Sequence, residues 1–76
     1  MPISTSLVRF AILGCGRMGK LHAERVLADG RGTIAALFDT DTKLAAHLAS
    51  ELALKATVFE RFDELLAHAD ADAAII

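Results

Sequence analysis

The sequence predicts an α/β chain whose elements alternate as βαβαβαβ, the pattern of a doubly wound parallel sheet with helical crossovers. Three observations predict it. Apolar runs of strand length alternate with segments of helical periodicity. Apolar residues make up 54% of the 76 residues and mean hydropathy is +0.44, as strands covered on both faces require. A glycine-rich turn, Gly14-Cys15-Gly16-Arg17-Met18-Gly19, directly follows the first apolar run.

Each element has its own signal. Leu7-Val8-Arg9-Phe10-Ala11-Ile12-Leu13 lies between a polar leader and the glycine turn, and it reads as a buried strand. Residues 17–29 read as a helix, with Met18, Leu21, Val26 and Leu27 as its apolar positions. Gly30 sits where a left-handed cap ends such a helix. Thr33-Ile34-Ala35-Ala36-Leu37-Phe38 is the second strand. Thr40 or Asp41 can cap the second helix through a side-chain oxygen. Leu44, Leu48 and Leu52 repeat every fourth residue along it, with Ala45 and Ala49 beside them. Residues 56–59 form a short third strand, and residues 63–68 a short helix carrying Leu65 and Leu66. Asp72-Ala73-Ala74-Ile75-Ile76 opens a fourth strand, expected beside the first. Residues 1–6 are an N-terminal leader, and residues 7–76 are one partial domain with no internal linker or repeat.

The glycine turn carries the chemistry. Gly14 permits a tight exit from the strand, Gly16 leaves room for a pyrophosphate, and Gly19 lets the helix lie close to the sheet. The N–H groups of Gly16, Arg17 and Met18 open the helix without intrahelical partners, and the helix dipole adds positive character there. Asp39 ends the second strand, 20 residues beyond Gly19. Its carboxylate can accept hydrogen bonds from ribose hydroxyls and would repel a 2′-phosphate, which favours NAD over NADP. Strand, turn, helix, strand and acid together spell an incomplete Rossmann-type dinucleotide-binding sheet. The candidate cofactor-binding residues are Gly14, Cys15, Gly16, Arg17, Met18, Gly19 and Asp39. No catalytic residue and no metal ligand is assigned.

Composition narrows the rest. The net charge is −2 without a basic block, so no nucleic-acid partner is expected. No apolar run has the length of a membrane span, and residues 1–6 lack the regions of a secretory signal. A single cysteine excludes an internal disulfide and suits a reducing compartment. Cytoplasm is the expected location.

Rival readings fit less well. Gly14 through Lys20 matches the start of a P-loop, but Leu21 stands where Ser or Thr must hold magnesium. A methyltransferase also places an acid after its second strand, though the third glycine suits a pyrophosphate better. Flavin binding uses the same fingerprint. His22, one turn into the first helix, is either a proton shuttle or a packing residue hydrogen-bonded to a neighbouring loop. Cys15 is either an oxidisable thiol at a helix N-terminus or a small residue in a crowded turn. His47 and His68 have no ligand-spaced companions. Asp70 and Asp72 read as a solvated turn rather than a catalytic pair, and Asp63-Glu64 suits a helix start.

The chain resembles the N-terminal domain of the Gfo/Idh/MocA oxidoreductases, NAD(P)-dependent dehydrogenases of sugars, inositols and related polyols. The resemblance rests on Val8-Arg9-Phe10-Ala11-Ile12-Leu13 and the glycine turn, on His22, on Phe38-Asp39-Thr40-Asp41, and on Ala56-Thr57-Val58-Phe59. It continues through Leu65-Leu66 and Asp72-Ala73-Ala74-Ile75-Ile76, and it is most similar to the inositol 2-dehydrogenase branch. It implies cofactor roles for Gly14, Gly16, Arg17, Met18, Gly19 and Asp39, with Met18 on the nicotinamide side. It implies that catalysis needs a lysine in a later Glu-Lys-Pro motif, and an aspartate and a histidine from a second domain. None of these falls within the 76 residues. The expectation is therefore a fragment that binds NAD without dehydrogenase activity, drawn from a homo-oligomeric parent that acts on a polyol. A noncatalytic nucleotide-binding or sensing module is the alternative. An open sheet flank makes self-association or marginal folding of the fragment expected as well.

Overall fold

The structure, a computed structural model, describes residues 7–76. The expected leader, residues 1–6, lies outside the described residues. Seven elements follow in the order read from the sequence: β1 (Val8–Leu13), α1 (Arg17–Asp29), β2 (Gly32–Phe38), α2 (Thr42–Glu51), β3 (Thr57–Phe59), α3 (Phe62–His68) and β4 (Ala73–Ile75). All strand pairs are parallel, in the spatial order β3-β2-β1-β4. The chain therefore winds outward from β1 to β3 and then crosses back to place β4 on the other side. That reversal puts a topological switch point between β1 and β4, the crevice where open α/β sheets bind ligands.

The helices cover both faces. On one face, Ile12, Ile34 and Leu37 pack with Cys15, Ala23 of α1, and Ala45 and Leu48 of α2. On the other, Ala11, Ala36 and Phe59 pack with Leu65 of α3. Strict alternation would send Ile34 and Leu37 to opposite faces, since they are three residues apart. A register shift resolves this: Phe10 pairs with Ile34, but Ala11 pairs with Ala36, leaving Ala35 unmatched. The bulge turns both large side chains toward the same pair of helices.

The stripe of α1 differs from the expected one. In α1 the buried residues are Gly19 and Ala23, while Met18 is 58% exposed and Leu27 is 40% exposed. Small residues face the sheet because the helix approaches it closely. A Cβ built on Gly19 would lie 1.9 Å from the Gly14 carbonyl oxygen. In α2 the expected face docks: Ala45 and Leu48 are buried and Ala49 and Leu52 pack against the core, while Leu44 is exposed. Both expected caps form. Gly30 closes α1 at φ 82°, and Asp41 accepts from the Lys43 N–H at 3.0 Å.

At the N-terminal edge of the sheet, Arg9 ties β4 to β1. Its backbone N–H donates to Asp72 Oδ2 at 2.9 Å, and its guanidinium donates to Asp70 at 2.6 Å and to Asp72 Oδ1 at 3.2 Å. The Asp72 N–H returns a bond to the Arg9 carbonyl at 2.7 Å. Asp70 and Asp72 are thus partners of an arginine, at the far end of the sheet from the glycine turn.

Candidate dinucleotide site at the glycine turn

The turn between β1 and α1 lies at the carboxyl end of the central strand, beside the switch point. Gly14 leaves the strand at φ 105°, a conformation that favours glycine, and its N–H donates to the Phe38 carbonyl at 2.8 Å. Gly16 is the N-cap of α1, in extended conformation and without a side-chain cap. Its carbonyl accepts from the Lys20 N–H at 2.9 Å. Among the described residues, no hydrogen-bond partner meets the N–H of Gly16, Arg17 or Met18. A Cβ on Gly16 would have nothing within 4 Å. The helix mouth is therefore open in space and unsatisfied in donors, which suits an anion.

Asp39 stands across this mouth. Its Oδ2 accepts from the Cys15 N–H at 2.8 Å, and its Oδ1 accepts from the Asp41 N–H at 2.8 Å. These bonds, that from Cys15 foremost, hold its carboxyl below the ordinary carboxylate pKa. An ionised carboxylate has about four acceptor positions, so two backbone bonds leave capacity facing outward.

Cys15 is buried, with its thiol 3.5 Å from the Phe38 carbonyl oxygen. Burial, and then the charge of Asp39, push this thiol up to about 11. The oxidisable-thiol reading is thereby set aside: desolvation and a neighbouring anion outweigh the helix mouth. The small-residue reading fits.

Two cavities flank the turn and share Leu13, Gly14 and Ile76 along their common wall. One, of about 250 Å³, lies toward β4 and is lined by Gly16, Met18, His22 and Ile75. The other, of about 380 Å³, lies toward β2 and is lined by Phe38, Asp39, Thr40 and Phe62. A two-armed ligand whose centre sits on the turn would have one arm in each. A cavity of about 440 Å³, walled by Phe10, Val26 and Arg31, opens at the opposite edge of the sheet. It is larger, yet it faces the amino ends of the strands, where this architecture does not bind ligands.

All seven residues expected from the sequence meet in this one region, with unequal duties. Gly14, Gly16, Arg17, Met18 and Asp39 are accessible there. Cys15 and Gly19 are buried supports. His22 is half-buried on the cavity wall and makes no hydrogen bond among the described residues. Sequence reasoning missed Phe62, which is 47% exposed and lies 5.8 Å, centroid to centroid, from Phe38. Its only signal was an aromatic residue opening α3. Among the described residues no group of three His, Cys, Asp or Glu side chains could hold a metal. No helix there is long and apolar enough to cross a membrane.

Sheet order, glycine turn and acid define a unit of the Rossmann class. Residues 8–76 match the Gfo/Idh/MocA family, an oxidoreductase family with an NAD-binding Rossmann fold. The chain belongs to that family. Solved structures agree. Myo-inositol dehydrogenase from Lactobacillus casei, in complex with NAD(H) and myo-inositol, is 28% identical with a TM-score of 0.82, covering 91% of this chain and 21% of that one. The WlbA dehydrogenase from Bordetella pertussis, in complex with NADH and UDP-GlcNAcA, is 31% identical with a TM-score of 0.78, covering 91% and 21%. A myo-inositol dehydrogenase from Corynebacterium glutamicum is 29% identical with a TM-score of 0.79, covering 91% and 20%. The chain thus spans about a fifth of the length of these structures. No curated protein matches it.

Proposed function

We propose that the chain is the NAD-binding portion of an oxidoreductase that acts on a sugar, an inositol or a related polyol. The observation that carries this reading is the open helix mouth at Gly16, with Asp39 opposite. The N–H groups of Gly16, Arg17 and Met18 receive the pyrophosphate. The outward lone pairs of Asp39 take the adenosine ribose hydroxyls. Met18 and His22 line the arm toward β4, and Phe62 offers the other arm an aromatic wall. The cofactor supplies the hydride-accepting ring when bound. The chain's own residues bind and orient it. The substrate class is supported by the neighbours, whose described complexes hold NAD(H) with myo-inositol and NADH with UDP-GlcNAcA.

Asp39 also supports a preference for NAD. Its ionised carboxylate faces the position of a 2′-phosphate, and two negative charges at close range repel. Titration of the 76-residue chain by calorimetry should give NAD an affinity at least about tenfold above NADP, a difference of about 1.4 kcal/mol. Asp39→Ala should erode that ratio. Equal affinities in the wild-type chain would refute the preference. Binding of neither dinucleotide by folded chain would refute the cofactor reading.

A further inference from the structure

The geometry points to a second task for Asp39: its carboxylate is the clasp that holds the glycine turn in shape before any ligand arrives. This inference rests on the dinucleotide reading and deepens it, since it makes Asp39 a positioning residue for the diphosphate as well as a partner for the sugar.

Backbone pairing between β1 and β2 runs out at the turn. The last register pair is Leu13 with Phe38, and the last ladder bond runs from the Gly14 N–H to the Phe38 carbonyl. One residue further, the Phe38 carbonyl is already taken by the Gly14 N–H and approached by the Cys15 thiol, and the Cys15 N–H bonds no carbonyl of β2. The Asp39 side chain fills that place, accepting from the Cys15 N–H at 2.8 Å. Its other oxygen is anchored by the Asp41 N–H at 2.8 Å. The clasp therefore extends the sheet by one rung, with a side chain in place of backbone. Cys15 needs that rung. It lies between two glycines, whose backbones are the freest in the chain, and its own side chain is buried. With Cys15 pinned, the next three N–H groups start the helix from a defined position.

The residue type suits the task. Two N–H donors converge on one side chain, and a carboxylate is acceptor-only at both oxygens. Asparagine keeps an oxygen for one donor, while its amide N–H₂ opposes the other. Alanine keeps neither. Asn and Ala remove the negative charge equally, so comparing them separates the clasp from simple repulsion of an anionic ligand.

The test uses inorganic pyrophosphate, which has no sugar to grip, on the 76-residue chain. Asp39→Ala should bind pyrophosphate at least about fivefold more weakly than Asp39→Asn. Equal affinities would overturn the clasp while leaving the dinucleotide reading intact, provided the wild-type chain binds NAD. Amide exchange supplies a readout that needs no ligand. In the wild-type chain the Cys15 amide should exchange at least about tenfold more slowly than that of Arg17, which has no partner among the described residues. In Asp39→Ala the Cys15 protection should vanish while Ile12, in the central strand, keeps its own. Cys15 exchanging as fast as Arg17 in the wild-type chain would sink the proposal. Should Asp39→Ala lose protection at Ile12, Asp39→Ser takes its place in both comparisons.

Discussion

Gly16 and Gly19 look alike in the sequence and do opposite things. Gly19 serves the fold: a Cβ there would sit 1.9 Å from a backbone oxygen, and a backbone atom cannot rotate away. Gly16 serves the open mouth: a Cβ there would touch nothing in the chain. Gly19→Ala should therefore destabilise the chain by about 3 kcal/mol or more, an overpacking effect, read as a lower urea midpoint. Gly16→Ala should leave that midpoint unchanged and weaken NAD at least about tenfold, since the added methyl occupies the place a pyrophosphate would take. A Gly16→Ala chain that binds NAD normally would remove the central support of the functional reading. Both the glycine spacing and this division of labour were legible from the sequence; how closely the helix approaches was not, because that distance is set only once α1 has docked. Cys15 teaches the same lesson: a helix N-terminus lowers a thiol pKa, but burial and Asp39 raise this one.

Element types were legible because each strand is a short apolar run and each helix repeats its apolar residues at helical spacing. What the pattern missed was which side of α1 docks, and that Leu44 of α2 faces outward. Periodicity weights large residues, so it marked Met18, Leu27 and Leu44, all exposed. Close helix–sheet approach instead selects Ala23, beside Gly19 and Ala45, which were expected. The end of α2 was also hidden, since no glycine marks it. Leu54 donates to Ala49 at 2.8 Å and Ala53 donates to Ser50 at 3.2 Å, which is the paired bonding of a Schellman motif. That motif forces Ala53 to φ 52°, a left-handed conformation that costs a residue with a Cβ about 1–2 kcal/mol. Glycine would relieve most of that strain and return part as unfolded-state entropy. Ala53→Gly should therefore stabilise the chain by about 0.5–1 kcal/mol, measured by urea unfolding. A loss of stability would mean that the Ala53 methyl packs favourably enough to outweigh its strain.

At the scale of the whole chain, β4 is the least secured element. It has three residues paired to β1, it contributes only Ile75 to the core clusters, and Ile76 beyond it is 96% exposed. The sequence foresaw its place beside β1 but not its tether, because Arg9 and Asp72 are 63 positions apart and only the crossover brings them together. The bonds from Arg9, the backbone N–H first, hold the Asp72 carboxyl below the ordinary carboxylate pKa. A depressed folded-state pKa gives stabilisation that is present above the unfolded value, about 3.9, and lost as pH falls through the lower folded value. Acid should thus loosen β4 before the rest of the sheet. Amide exchange between pH 6 and pH 3 should show protection at Ile75 falling ahead of that at Leu37, in the middle of β2. Release of β4 uncovers the edge of β1 along Phe10, Ala11 and Ile12, an unpaired strand edge of the kind that recruits other chains. Sedimentation at pH 3 should accordingly show more association than at pH 6. Asp72→Asn should show both behaviours already at pH 6, with little further change at pH 3, because the amide keeps an oxygen for the Arg9 N–H but has no charge for its guanidinium and does not titrate. If Ile75 and Leu37 lost protection together at every pH, β4 would be an integral part of the sheet and the tether would be incidental.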